Sequence, residues 1–172
     1  MSEEQQPLTI EMLAADVLRY LDHDYKGPVK LELTEISYVR VEQWEGDGPI
    51  DLQQLALSGV ECHVCALGAF LVAQAIREDA IDLNFRTNGY LYIEDNIYLP
   101  RLPLDKASRT RVEAIFEGWS PMRYPWPFEE ERPASARDRL RIICQAIVDG
   151  NKFWLTGRTE SAESELPQEV AK

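Results

Sequence analysis

The sequence predicts an α+β fold, a helix-dominated domain with a small antiparallel sheet or hairpin. Three observations predict it. Apolar residues recur at helical spacing in several separate segments. Period-two alternation is confined to two stretches, residues 29–41 and 81–92. Asn88-Gly89 falls inside the second stretch, and both residues tolerate the positive φ that a type I′ hairpin turn requires.

The first helix is marked by Thr9 as N-cap and by Ile10, Leu13, Ala14, Val17 and Leu21 on one face. Gly27-Pro28 stops it. Val29, Leu31 and Leu33 then alternate with Lys30, Glu32 and Thr34 as a strand does. The alternation slips phase near Ile36 and Tyr38, which a bulge or a strand buried on both faces would explain. Residues 45–49, Glu-Gly-Asp-Gly-Pro, are a loop by composition. Asp51 can cap a short helix to about Leu57, ended by Gly59. A longer helix is expected over residues 62–77, and a hairpin over 81–94. Pro100 and Pro103 close the β region. Asp105 or Ser108 can cap the next helix, which presents Val112, Ile115, Phe116 and Trp119 and ends at Gly118. Ser135 and Asp138 resemble a capping box for the last helix, whose inward face is Leu140, Ile143, Cys144 and Ile147. Gly150-Asn151 ends it, and Phe153-Trp154 should fold back on the core.

The 172 residues fit one domain, expected over 8–158, with a flexible N-terminus at 1–7 and a disordered acidic tail at 159–172. No apolar run reaches the roughly 18–20 residues that span a bilayer. With its polar, acidic start and three cysteines, the chain reads as soluble and cytoplasmic, without a disulfide framework. The net charge of −12 is uneven. Residues 1–60 hold twelve acids and four bases, a balance of −8, whereas 61–127 and 128–172 each hold nine against seven, −2. Direct nucleic-acid binding is disfavoured, because phosphate neutralisation needs clustered Lys and Arg. A solvated acidic surface and docking to a basic protein surface both suit this balance.

The densest cluster of reactive residue types is Cys62-His63-Val64-Cys65, running into Ala66-Leu67-Gly68-Ala69. Zinc binding and thiol chemistry are the two chemical readings of Cys62 and Cys65. A structural zinc site needs four ligands, and no second spaced pair exists. A thioredoxin-like site needs a strand leading into the motif, whereas residues 53–60 read as helix and turn, and Glu61 opposes a thiolate. The packing reading makes the string a central core helix, with small residues admitting close neighbours and a backbone crossing at Gly68 offsetting its helix cost of about 1 kcal/mol. No cofactor and no bound metal are expected.

Nucleophile elbows, phosphate-cradling glycine loops and the H-E-x-x-H pattern are all missing from the sequence. His23 and His63 are its two histidines, and thirty acids guarantee chance carboxylate pairs, so no acid–base assignment follows. The surface candidate is the proline-rich stretch 121–131. Tyr124, Trp126 and Phe128 offer rigid apolar area, and Glu129, Glu130 and Glu131 border it. Those aromatics serve equally to cover an edge of the core.

Three segments carry a family resemblance: residues 62–69, Arg111-Val112-Glu113-Ala114-Ile115-Phe116-Glu117, and 138–153 with Asp149-Gly150-Asn151-Lys152-Phe153. Their order resembles small bacteriophage and prophage proteins with a Cys-x-Val-Cys-Ala-x-Gly-Ala helix. The resemblance implies a phage setting and brings no activity or site residues. The expectation is a non-enzymatic, acidic protein-binding protein, a phage accessory or host-modulating factor, with nucleic-acid charge mimicry as one variant. The alternative is a thiol-based or zinc-binding protein using Cys62 and Cys65. A homo-oligomer is compatible with either.

Overall fold

The computed structural model describes residues 7–35, 38–41, 50–78, 82–86, 90–92, 101–119 and 121–155. The terminal segments expected to be flexible and the Glu45–Pro49 loop lie outside these residues, as does the Asn88-Gly89 turn. The architecture is helix-dominated α+β.

Helix α1 (Ile10–Tyr20) begins at Thr9, whose hydroxyl accepts the Met12 N–H at 3.3 Å. The predicted apolar face, Ile10, Leu13, Ala14, Val17 and Leu21, is buried. The stretch with the phase slip is two strands, β1 (Lys30–Leu33) and β2 (Val39–Val41). Between them the chain crosses over, so they flank one central strand on opposite sides. β3 (Ile50–Asp51) leads into α2 (Leu52–Leu57), where Asp51 Oδ1 accepts the Gln53 N–H at 2.7 Å.

The central strand is β4 (Glu61–Val64), and this corrects the expected helix over 62–77. β4 pairs parallel with β1, placing Leu31 beside Cys62, and antiparallel with β2, placing Val39 beside Val64. Its side chains alternate: Cys62 and Val64 are buried, Glu61 is exposed and His63 is partly exposed. A cysteine spacing of three suits one helical face, but the tetrapeptide also alternates polar and apolar. Strand pairing on both edges decides for the latter. Helix α3 (Ala66–Glu78) starts immediately after Cys65, whose carbonyl accepts the Ala69 N–H at 2.9 Å.

β5 (Asp82–Arg86) and β6 (Tyr90–Tyr92) pair antiparallel as the expected hairpin. Arg86 pairs with Tyr90 at one end of the ladder. The sheet order is β1-β4-β2-β6-β5-β3, antiparallel except for the β1–β4 pair. Helix α4 (Lys106–Glu117) is capped by Asp105, which accepts the Ser108 N–H at 2.7 Å, while Ser108 itself is buried. Gly118 ends α4 at φ 78°, and Trp119 lies beyond that end, 55% exposed rather than on the inward face. Helix α5 (Ala136–Val148) is capped by Ser135 and buries Leu140, Ile143, Cys144 and Ile147.

α3 is the centre of the molecule. Residues 66–75 are buried without a break. It packs on β2 and β4 and against α1, α2 and α4, so it is the layer between sheet and helices. An apolar helix enclosed on all sides is the form such a sequence must take, and each large side chain buried there stabilises by about 1.5–3 kcal/mol. At Gly68 a Cβ would overlap the Tyr38 carbonyl of the crossover into β2. The predicted backbone crossing is therefore present. α1 packs on α5 and α3, and Phe153–Leu155 forms a short 3₁₀ turn that returns Phe153 and Trp154 to the core.

Candidate functional site

Two places in the fold concentrate polar or exposed groups. The first is at the β4–α3 junction. Cys62 and Cys65 are both buried free thiols. Cys62 points to the core from the strand, and its sulfur lies 3.8 Å from the Val60 carbonyl. Burial, and secondarily Glu61, pushes its thiol up to about 12. His63 alternates to the other side of the strand and sits 3.6 Å from Glu61. The strand thus separates Cys62 from His63, as a helix would also have done. The approach to the motif is the helix and turn expected over residues 53–60, α2 through Leu57 and a turn at Ser58-Gly59, and the strand β4 is the motif itself.

Cys65 has different company. Its Sγ and one carboxylate oxygen each of Glu113 and Glu117 lie within 4.8 Å of one another. Glu113 and Glu117 are one turn apart on α4, which packs on α3 and brings their face to the start of that helix. Burial raises the Cys65 thiol to about 12, and Glu113 and Glu117 add to this. Backbone N–H groups of Gly68 and Leu67 at the helix start act in the opposite direction. Glu117 is raised to about 8, first by burial and then by Glu113 and Glu35, with Arg139 opposing. Its Oε2 is wholly buried with no hydrogen-bond partner.

Arg139 closes this region from α5. It is 2% exposed, ion-paired to Glu35, and donates to the carbonyls of Ala134 at 2.6 Å and Pro133 at 3.2 Å. Its guanidinium also stacks 5.4 Å above the Phe116 ring. Arg132 donates to the Phe116 carbonyl at 2.8 Å, near the end of α4. The arginines are therefore structural clamps, and Glu117 receives a field from Arg139 but no hydrogen bond.

The second place is the connection from Gly118 to Ser135. Tyr124, Trp126 and Phe128 are partly buried against the core. Trp126 meets Phe128 edge-on at 4.9 Å, Phe128 meets Phe153 at 5.2 Å, and Phe153 meets Trp154 at 5.1 Å. This aromatic chain fastens the loop. Glu129, Glu130 and Glu131 are exposed, as are Trp119 and Met122, the latter fully.

A groove at the N-termini of α1 and α4, bordered by Glu11, Asp105 and Lys152, presents no ready anion site. Thr9 and Asp105 already take N–H groups there, and the two carboxylates repel anions.

Glu113 and Glu117 were not singled out by sequence reasoning. Their four-residue spacing was visible, but their meeting with Cys65 depends on how α4 packs. Among the described residues, no helix is long and apolar enough to cross a membrane. No family model matches the chain, and comparison with curated proteins and with solved structures finds no match.

Proposed function

We propose that the protein is a non-enzymatic, acidic binding protein that docks on a basic surface of another protein. One observation carries this reading. The 118–135 connection holds exposed apolar anchors, Trp119 and Met122, and the exposed run Glu129–Glu131, all on a loop fixed to the core by stacked aromatics. A rigid loop loses little entropy on docking. Apolar anchors supply affinity, and the carboxylates steer a basic partner. The net charge of −12 points to the same partner chemistry. In the phage setting that the resemblance implies, this takes the form of action on a host protein, including mimicry of nucleic-acid charge.

The second reading, thiol or zinc chemistry shared by Cys62 and Cys65, draws less support. Both thiols are raised to about 12, and Cys62 is not part of the group that Cys65 makes with the glutamates.

The test is capture from bacterial lysate by immobilised wild-type protein and by a Glu129→Lys/Glu130→Lys/Glu131→Lys variant. A partner held at about 50 mM salt, released near 500 mM and missing from the variant is the expected result. Partners that bind the variant equally well, or no salt-sensitive partner at all, would sink the reading. For the mimicry form, the recovered partner should lose nucleic acid when this protein is added.

A further inference from the structure

We propose that Cys65, Glu113 and Glu117 form a binding site for one thiophilic divalent cation of the zinc class. The first ground is convergence. One sulfur and two carboxylate oxygens, from the start of α3 and from one face of α4, lie within 4.8 Å of one another. Ligands of a single tetrahedral zinc ion, bound at about 2.0–2.3 Å, lie somewhat closer together than that. Rotamer adjustment of the two half-buried glutamates would close the difference around the fixed, buried sulfur.

The second ground is independent of convergence. Glu117 Oε2 is fully buried and has no hydrogen-bond partner. Arg139, the cation whose field reaches it, commits its two Nη groups to Glu35 and two backbone carbonyls, and its buried Nε makes no hydrogen bond either. A buried carboxylate oxygen in that position needs a proton or a metal ion. Glu113 one turn away adds like-charge repulsion on the same helix face, which a divalent cation reverses. Burial holds the Cys65 thiol up in the metal-free protein, and the N–H groups of Gly68 and Leu67 act the other way, towards the thiolate a metal requires.

The donor set selects the cation. Calcium and magnesium need six or more oxygen ligands, so a thiolate with two carboxylates suits zinc, cobalt or cadmium. Three protein ligands leave the fourth tetrahedral position for water. The metal-bound sulfur is a thiolate, so the Zn–S bond forms as the thiol proton leaves to solvent, and the two carboxylates supply the Zn–O bonds. This site differs from the pairing of Cys62 with Cys65, because Cys62 takes no part.

The experiment is titration of the untagged, chelator-treated protein with Zn²⁺, and separately with Co²⁺ as a spectroscopic probe. Wild type should bind one equivalent of Zn²⁺ and show a sulfur-to-cobalt charge-transfer band. Glu113→Gln/Glu117→Gln should weaken binding by at least about tenfold, Cys65→Ala should abolish the band, and Cys62→Ala should leave both unchanged. The wild-type band needs no variant to fold, and the glutamate variant alters only part-buried side chains. Binding without the band, binding that survives the glutamate substitutions, or uptake well below one equivalent would overturn the proposal. None of these readouts depends on the docking loop.

Discussion

Gly68 shows how one residue reports a tertiary contact. A helix interior favours Ala over Gly by about 1 kcal/mol, yet here the missing Cβ is the space taken by the Tyr38 carbonyl. Gly68→Ala should therefore destabilise, by about 2 kcal/mol net, because backbone overlap outweighs propensity; urea unfolding would measure it, and an unchanged midpoint would contradict the crossing. Cysteine burial makes a second statement at this scale. All three thiols are raised by burial, Cys62 and Cys65 to about 12. In metal-free buffer at pH 8 a thiol reagent should find no fast-reacting group in the native protein and three after denaturation. Glu117 makes the third. Its folded value, about 8, exceeds its ordinary value of 4.5, so the folded state holds more protons between these limits. Stability contributed by this group is then greatest at the acid end and falls as pH rises towards 8. Glu117→Gln should remove that slope and stabilise the protein at pH 8 by about 1 kcal/mol, after allowance for its partial exposure. Parallel pH-series melts in chelator would show it.

At the scale of elements, side chains settle the helix ends and tie them to one another. Ser135 caps α5 by accepting the Asp138 N–H at 3.3 Å. From the first turns of the same helix, Arg137 donates to the Leu21 carbonyl just past α1 at 2.7 Å. The start of α5 thus satisfies an acceptor that α1 leaves open. Asp16 does similar work between α1 and α3, bonded to Arg77 and 3.3 Å from Arg19. Ser135→Ala should cost about 1 kcal/mol. The loss should appear in thermal melts while the far-ultraviolet spectrum of the folded state stays the same, since packing on α1 still holds α5 in place.

For the whole molecule, the uneven charge is the dominant physical property. A net charge of −12 repels itself in the compact state more than in the extended one. Raising salt from about 10 to 200 mM shortens the screening length severalfold, and the melting temperature should rise by about 2–4 °C, equivalent to about 1 kcal/mol for a chain of this size. A falling melting temperature would mean that attractive pairs such as Arg139–Glu35 outweigh the repulsion. The same field serves the proposed docking, because it draws basic partners towards exposed carboxylates at Glu129–Glu131.

The sequence by itself determined the fold class and, among the described residues, the places of the helices and most of their caps, the start of α3 excepted. Periodicity and capping are local: Thr9, Asp51, Asp105 and Ser135 act within three residues of themselves. It also determined the charge and the burial of the α3 string, since composition alone forces Ala66–Ala75 inside. Only the tertiary structure decided the secondary structure of Cys62 and its neighbours. Four residues that alternate and also satisfy helical spacing are assigned by their partners, and β1 and β2 supplied those partners. The phase slip near Tyr38 had the same origin, since alternation registers a break but not where the chain goes next. The Cys65–Glu113–Glu117 group was likewise hidden, because Cys65 lies some fifty positions from the two glutamates in the chain. Their meeting is a property of how α4 lies on α3, which no local pattern encodes.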